Sequence, residues 1–259
     1  MIEIKRTLTL KSEDIKQNEK FVVTSKINGP AIILAGDSGR NRIDGYFPSF
    51  ELDCQNNSDG VLINRVDNAV ISSISVKRAT GFGIKVVSCR QSNFQTLHVN
   101  ECGLENPLEP AISIESQRIA SGDANNCCNF DFLSAIACVN DTILNISAGT
   151  APLNTVRSVN MNTVFIHCWY KGCDKRYSQI KKQIYANINK VYRLYMYNIH
   201  IKTRPENTTF ESIGLNLTSV TGSRFIGVVN TEPTDRVISL NNTQDIFLDL
   251  YSNNKKYTI

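Results

Sequence analysis

The residues best equipped to hold something outside the chain crowd into one stretch. Residues 169–197, WYKGCDKRYSQIKKQIYANINKVYRLYMY, hold the only Trp and six of the nine Tyr. From Lys171 to Arg193, seven Lys or Arg stand against a single acid, Asp174. Aromatic faces stack on sugar rings, and ammonium and guanidinium groups attract carboxylated sugars or phosphates. The amphipathic Tyr side chain suits a protein interface equally well. Trp169, Tyr170, Lys171, Lys175, Arg176, Tyr177, Lys181 and Lys182 are therefore the candidates for contact with a glycan or a partner chain. Nucleic acid is not expected, because the net charge is only +4 and no nucleic-acid module is visible.

Glycosidic hydrolysis would need an acid and a base or nucleophile flanking one bond. Asp37, Asp44, Glu51, Asp53, Asp59 and Asp67 crowd the first part of the chain, and Glu101, Glu105, Glu109 and Glu115 follow. No spacing singles out a pair, so turns and caps are the expected role of each. His98, His167 and His200 each sit between apolar residues in alternating segments and should point outward. With Glu101 and Glu115, His98 and His200 could line an outward groove. The eight cysteines form no CxxC pair and lack His at short spacing, so neither a metal nor another cofactor is expected. Cys89 and Cys102 read as small core hydrophobes in a protein made in a reducing cytosol.

These side chains must be positioned by a repeat. A shift of 23 residues sets Val61 on Ile84, Ile63 on Val86, Val66 on Cys89, Ile71 on Phe94, Ile74 on Leu97, Val76 on Val99 and Ala79 on Cys102. It recurs where Leu215 falls on Ile238 and Leu217 on Leu240. An apolar-x-x-apolar-x-apolar pattern at 71/74/76 returns at 94/97/99, 130/133/135, 161/164/166 and 196/199/201. Such units, with period-two alternation and no helical period, predict the coils of a parallel β-solenoid. Larger offsets imply insertions near 103–110, 116–126 and 169–184. The 28 Asn against 14 Gly suggest coil corners turned mostly without glycine. The N-x-S/T triplets at Asn140, Asn145, Asn207 and Asn216 are expected to be turns, not glycan acceptors.

The segment GVLINRVDNAVISSISVKRATGFGIKVVSCRQSNFQTLHVNECG resembles coils of the pectate-lyase-like superfamily, with Asn68 and Asn93 similar to its turn Asn. The resemblance implies an all-β, right-handed, single-stranded parallel β-helix over residues 21–259, with about nine or ten coils. Residues 1–20 would then be an N-terminal cap or attachment, with a short helix at 12–19 started by Ser12. The C-terminal YSNNKKYTI should discourage edge pairing.

Among the superfamily's members the chain is most similar to bacteriophage tailspike-type proteins. This implies a homotrimeric virion protein that recognises bacterial surface polysaccharide and attaches to other virion tail proteins. Alternatives on the same fold are a polysaccharide lyase or glycoside hydrolase, or a purely structural virion component. No segment is apolar enough to span a bilayer and the N-terminus lacks a signal-peptide core, so synthesis in the host cytoplasm without a signal peptide is expected.

Overall fold

A computed structural model describes residues 1–34, 43–116, 125–148, 156–167, 180–202, 211–230, 236–252 and 255–259. The chain is a parallel β-helix. In its larger sheet, ten parallel strands stack in sequence order: Ile2–Ile4, Glu19–Val23, Phe50–Asp53, Val66–Lys77, Asn93–Asn100, Asn129–Ile136, Val156–His167, Val191–Lys202, Arg224–Asn230 and Phe247–Ser252. The smaller sheet stacks nine: Leu8–Leu10, Pro30–Leu34, Asp59–Asn64, Ile84–Val87, Ile112–Glu115, Thr142–Ser147, Lys182–Asn189, Glu211–Thr218 and Arg236–Asn241. The chain visits the two sheets alternately, which gives the coil number the repeat predicts.

The 23-residue shift is the strand register itself. Val61 pairs with Ile84, Ile71 with Phe94, Val76 with Val99 and Leu217 with Leu240. Across the insertions, Phe94 pairs with Phe130 and Met161 with Met196. Alternation sends one set of residues inward, and register stacks that set into columns. One column runs Phe47, Ile71, Phe94, Phe130, Met161, Met196, Phe225 and Leu248, all buried. Within it the Phe94 and Phe130 rings stack with centroids 4.6 Å apart. Each such side chain contributes roughly 1.5–3 kcal/mol by leaving water. Cys89 and Cys102 lie in the core as expected, and the described cysteines are free thiols. Burial pushes the Cys54 and Cys128 thiols up, away from thiolate chemistry.

Corners are single residues with left-handed backbone. One corner uses Arg65, Ser88, Lys190, Ser219 and Asn242, and another Asn68, Gln91, Cys127, Ser158, Arg193 and Asp245. A third uses Arg78, Glu101 and Ala137. Left-handed backbone costs an L-residue roughly 1–2 kcal/mol. The bend is offset because the corner N–H still bonds to the next coil, as from Arg65 to the Val87 carbonyl at 2.9 Å and from Glu101 to the Ile136 carbonyl at 3.0 Å. Since the bond comes from the backbone, the corner side chain is chosen loosely, and Asn is not the general corner residue. Asn68 turns a corner as expected, but Asn93 lies within a strand, paired with Val70 and Asn129.

Both ends differ from expectation. Within residues 1–20, Ile2–Ile4 and Leu8–Leu10 pair parallel with Phe21–Val23 and Ile32–Leu34, so this segment is built into the first coil. In place of a helix at 12–19 there is one 3-10 turn, Ser12–Asp14, held by the Lys11 N–H donating to the Asp14 carboxylate at 2.8 Å. So short a helix has too few bonds to offset its nucleation, and left-handed Asn18 turns the chain into the strand that begins at Glu19. At the other end, Lys255–Thr258 does pair, antiparallel, with Asp249–Ser252. Lys256 Nζ lies 3.2 Å from Asp249 and over the Tyr251 ring, so the lysine anchors the strand it was expected to repel. No helix among the described residues is long and apolar enough to cross a membrane.

Candidate functional site

The acids of the first coils serve the fold. Asp53 takes both Arg78 nitrogens and lies 3.3 Å from Lys77 Nζ. Burial opposes its ionisation, but these cations and the Gln55 N–H prevail and hold its carboxyl below the usual range. Asp59 accepts from the Thr80 hydroxyl and Gly81 N–H, Asp67 from Arg90, and Glu51 pairs with Lys20. Apart from the Gln55 N–H, each partner lies on an adjoining coil. Asp37 lies outside the described residues, as does the side chain of Asp44.

The predicted groove residues do not form one groove. Register places His98 and His200 in one outward row of the larger sheet, as the repeat implies, but with Ser134 and Phe165 between them. His98 Nδ1 lies 2.6 Å from the Ser134 hydroxyl, and His200 stacks on Phe165 at 5.2 Å. Burial lowers the His98 pKa. His167, in the next outward row, is lowered by burial and by Lys202 and His200 beside it. Glu101 turns a corner, while Glu115 lies on the smaller sheet.

The aromatic and basic stretch divides in the same way. Trp169, Tyr170, Lys171, Lys175, Arg176 and Tyr177 lie outside the described residues. Lys181 and Lys182 are exposed, but strand structure begins at Lys182, within the insertion expected to reach 184, and Lys182 pairs with Glu211 at 3.5 Å. Tyr185 is fully buried in the core rather than displayed. Tyr192 is exposed beneath the Arg193 guanidinium, 4.9 Å from its ring centre.

A site that sequence reasoning misses runs along the outer face of the smaller sheet. One outward row is Leu62, Lys85, Ser113, Asn145, Asn187, Asn216 and Ser239. The next is Asn64, Val87, Glu115, Ser147, Asn189, Thr218 and Asn241. The amides interlock: Asn216 Nδ2 donates to Asn187 Oδ1 at 2.8 Å, and Asn187 Nδ2 to Asn145 Oδ1 at 2.9 Å. Asn145 in turn donates to the Ser113 and Ser147 hydroxyls. Asn145 and Asn216, expected as turns, are therefore mid-strand. The turn expected at Asn140 is instead a fully buried tie, its amide donating to the Gly81 and Glu109 carbonyls. Asn207 lies outside the described residues.

At about 4.8 Å per coil, each of these rows extends over roughly 29 Å. Its three asparagines are half-buried, so their amides are oriented by neighbours yet reachable. An amide carries two hydrogens, so one donor of Asn187 and of Asn216 remains for a ligand beyond the ladder. Along the chain, residues 103–111, 168–181, 203–210 and 231–235 precede strands of this sheet, and 117–124 and 149–155 follow them. Glu115 is the one carboxylate in the two rows, 3.4 Å from Lys85 Nζ and accepting from the Ser113 hydroxyl at 2.6 Å. At the face's N-terminal end, Pro30, Leu62, Asn64, Phe82, Lys85 and Val87 line a cleft of about 260 Å³. Among the described residues no group of three or more His, Cys, Asp or Glu is placed to hold a metal ion.

No protein-family model matches the chain, and no curated protein matches it. Among solved structures, ORF18 of Geobacillus virus E2 is similar, with a TM-score of 0.52 and 14% identity. The match covers 97% of this chain and 52% of that one, so the chain spans about half the length of the viral protein. The likeness is one of fold.

Proposed function

We propose that the protein is a virion-associated, receptor-binding β-helix of the pectate-lyase-like type, which holds a bacterial surface polysaccharide along the outer face of its smaller sheet. The asparagine ladder carries this reading. A row of oriented, half-buried amides on three successive coils offers an extended sugar chain donors and acceptors at three steps, without requiring charge. The fold likeness to a viral protein supports the setting. Four acids of the first coils, Glu51, Asp53, Asp59 and Asp67, are tied to neighbouring coils, which favours a structural over a catalytic role for them.

Assembly as a homotrimer, attached to other tail proteins, would multiply weak sites into avidity. The larger sheet's outer face, with Phe132 exposed beside Thr96 and Thr163, suits contact between copies. Light scattering should give three times the mass of one chain.

Retention of the purified protein on immobilised capsule or lipopolysaccharide tests the site. Wild type should bind and Asn187→Leu should bind about tenfold more weakly, the loss of roughly one buried hydrogen bond or slightly more. Equal retention of the two, or none for wild type, would overturn the assignment.

A further inference from the structure

The two sheets end differently at the C-terminal end of the coil. Beyond Phe247–Ser252 of the larger sheet lies Lys255–Thr258, with Tyr257 packed on the core, and Leu248 and Leu250 stay buried. Beyond Arg236–Asn241 of the smaller sheet no strand lies among the described residues. The inward columns record the difference. Ile146, Ile188 and Leu217 stack in register and are fully buried, yet Leu240, next in the same column, is 38% exposed. Ile238 ends the neighbouring column and is only partly buried.

The backbone is open at the same place. Ser88, Lys190 and Ser219 turn one corner and pass their N–H groups to the carbonyls of Glu115, Thr218 and Asn241 on the next coil. Asn242 repeats their left-handed geometry, but its N–H meets no carbonyl among the described residues. At the following corner Arg193 and Gly222 donate to the Thr221 and Gln244 carbonyls, and Asp245 is left with the same unused donor. Free donors beside an exposed apolar column make this edge a template for one more strand.

A second copy of the chain is the wrong occupant. Register runs in one unbroken column from Leu8 through Ile32 to Leu215 and Ile238. A copy stacked in that register would set its Leu8 over Ile238 and its Arg6 against Arg236, like charge on like. Its Ile2–Ile4 would also need the place on the larger sheet that Lys255–Thr258 already fills. Arg236 is exposed and joins no ion pair among the described residues, so the position facing it suits an acid.

We propose that the open edge of Arg236–Asn241 receives an extended strand of a partner protein, parallel to it, with an acid facing Arg236 and apolar side chains over Ile238 and Leu240. Asn242 and Asp245 donate their free N–H groups to the strand as it turns on. The inference gives attachment to other virion proteins a place and rests on that part of the reading above; it does not depend on the glycan.

The test is fluorescence anisotropy of a labelled synthetic peptide added to the full chain. The peptide is about eight residues long, with Asp first, Ile at the third and fifth positions and Thr elsewhere. It should bind saturably and slow amide hydrogen exchange at Asn242 and Asp245. Leu240→Asp should weaken binding about tenfold or more, and N-methylation of the peptide backbone should abolish it. Arg236→Glu should reverse the charge preference, so that a peptide with Arg first binds at least about threefold more tightly than the one with Asp first. A misfolded variant would lose binding without exchanging preference. The mass of Leu240→Asp by light scattering should equal that of wild type. Absent binding, equal binding of the N-methylated peptide, or a preference unmoved by Arg236→Glu overturns the edge as the attachment, while glycan retention of the same preparation reports on the outer face separately. A smaller mass for Leu240→Asp makes a second copy the occupant and overturns the partner strand.

Discussion

Inside the coil both sheets stack apolar columns in register, with Ile, Val and Leu in both and Phe and Met in the larger sheet. Outside they diverge. The larger sheet presents His98, Ser134, Phe165 and His200 in one row, with Phe132, Tyr46, Phe247 and Tyr251 exposed on the same sheet. The smaller sheet presents amides and hydroxyls along most of its length. Inward positions are constrained by the coils above and below, whereas an outward row answers only to what touches it. A row that repeats one polar residue across three coils, in strands where Asn is normally disfavoured, is held by its own amide-to-amide bonds rather than by the inward packing.

Core truncation should erase the difference between the sheets. Phe130→Ala in the larger sheet and Ile188→Ala in the smaller should each cost about 2–5 kcal/mol of unfolding free energy by chemical denaturation. A marked disparity would mean that the two sheets do not share one cooperative core. The next experiment should restore the difference. Asn187→Leu breaks the amide bonds to Asn145 and Asn216, and Asn160→Leu the one to Asn129. Each should cost about 1 kcal/mol in stability, but only Asn187→Leu should weaken glycan retention; equal losses would dissolve the contrast.

A pH titration separates the faces again. Burial lowers His98 and His167, so the unfolded chain takes up protons that the fold resists. Their contribution is complete above the unfolded pKa of about 6.5. It declines as pH falls through that value and levels off below the folded pKa. His98→Asn should flatten this part of the stability profile, while retention on the smaller sheet stays constant from about pH 7.5 to about 5.5. The smallest effect belongs to Lys182→Met. Its pair with Glu211 is half exposed on both sides, so stability should change by at most about 0.5 kcal/mol in the same denaturation assay.

The coil was legible because inward residues repeat at nearly constant spacing, and Ile71, Phe94 and Val99 reveal it directly. The buried cysteines and the shared row of His98 and His200 followed from the same shift. The amide ladder was not legible. Its members are separated by 42 and 29 residues, because connections of different length intervene, so no fixed shift aligns them. Composition recorded the Asn but assigned them to corners, where Arg65, Arg78, Glu101 and Lys190 serve as well. Tyr185 misled in the opposite direction, since a charged neighbourhood in sequence hid an inward position. The helix expected at 12–19 failed because a local cap signal competes poorly with a strand whose partners lie on the next coil.

The single-residue corners have a consequence for how such a molecule changes size. At the corner turned by Arg65, Ser88, Lys190 and Ser219 the backbone geometry repeats and each N–H passes to the next coil, so a coil of this kind can be added or deleted without reshaping its neighbours. The outer faces then grow or shrink in increments of about 4.8 Å. The protein behaves as a ruler graduated in coils, and the length of its outer faces is set by counting rather than by redesign.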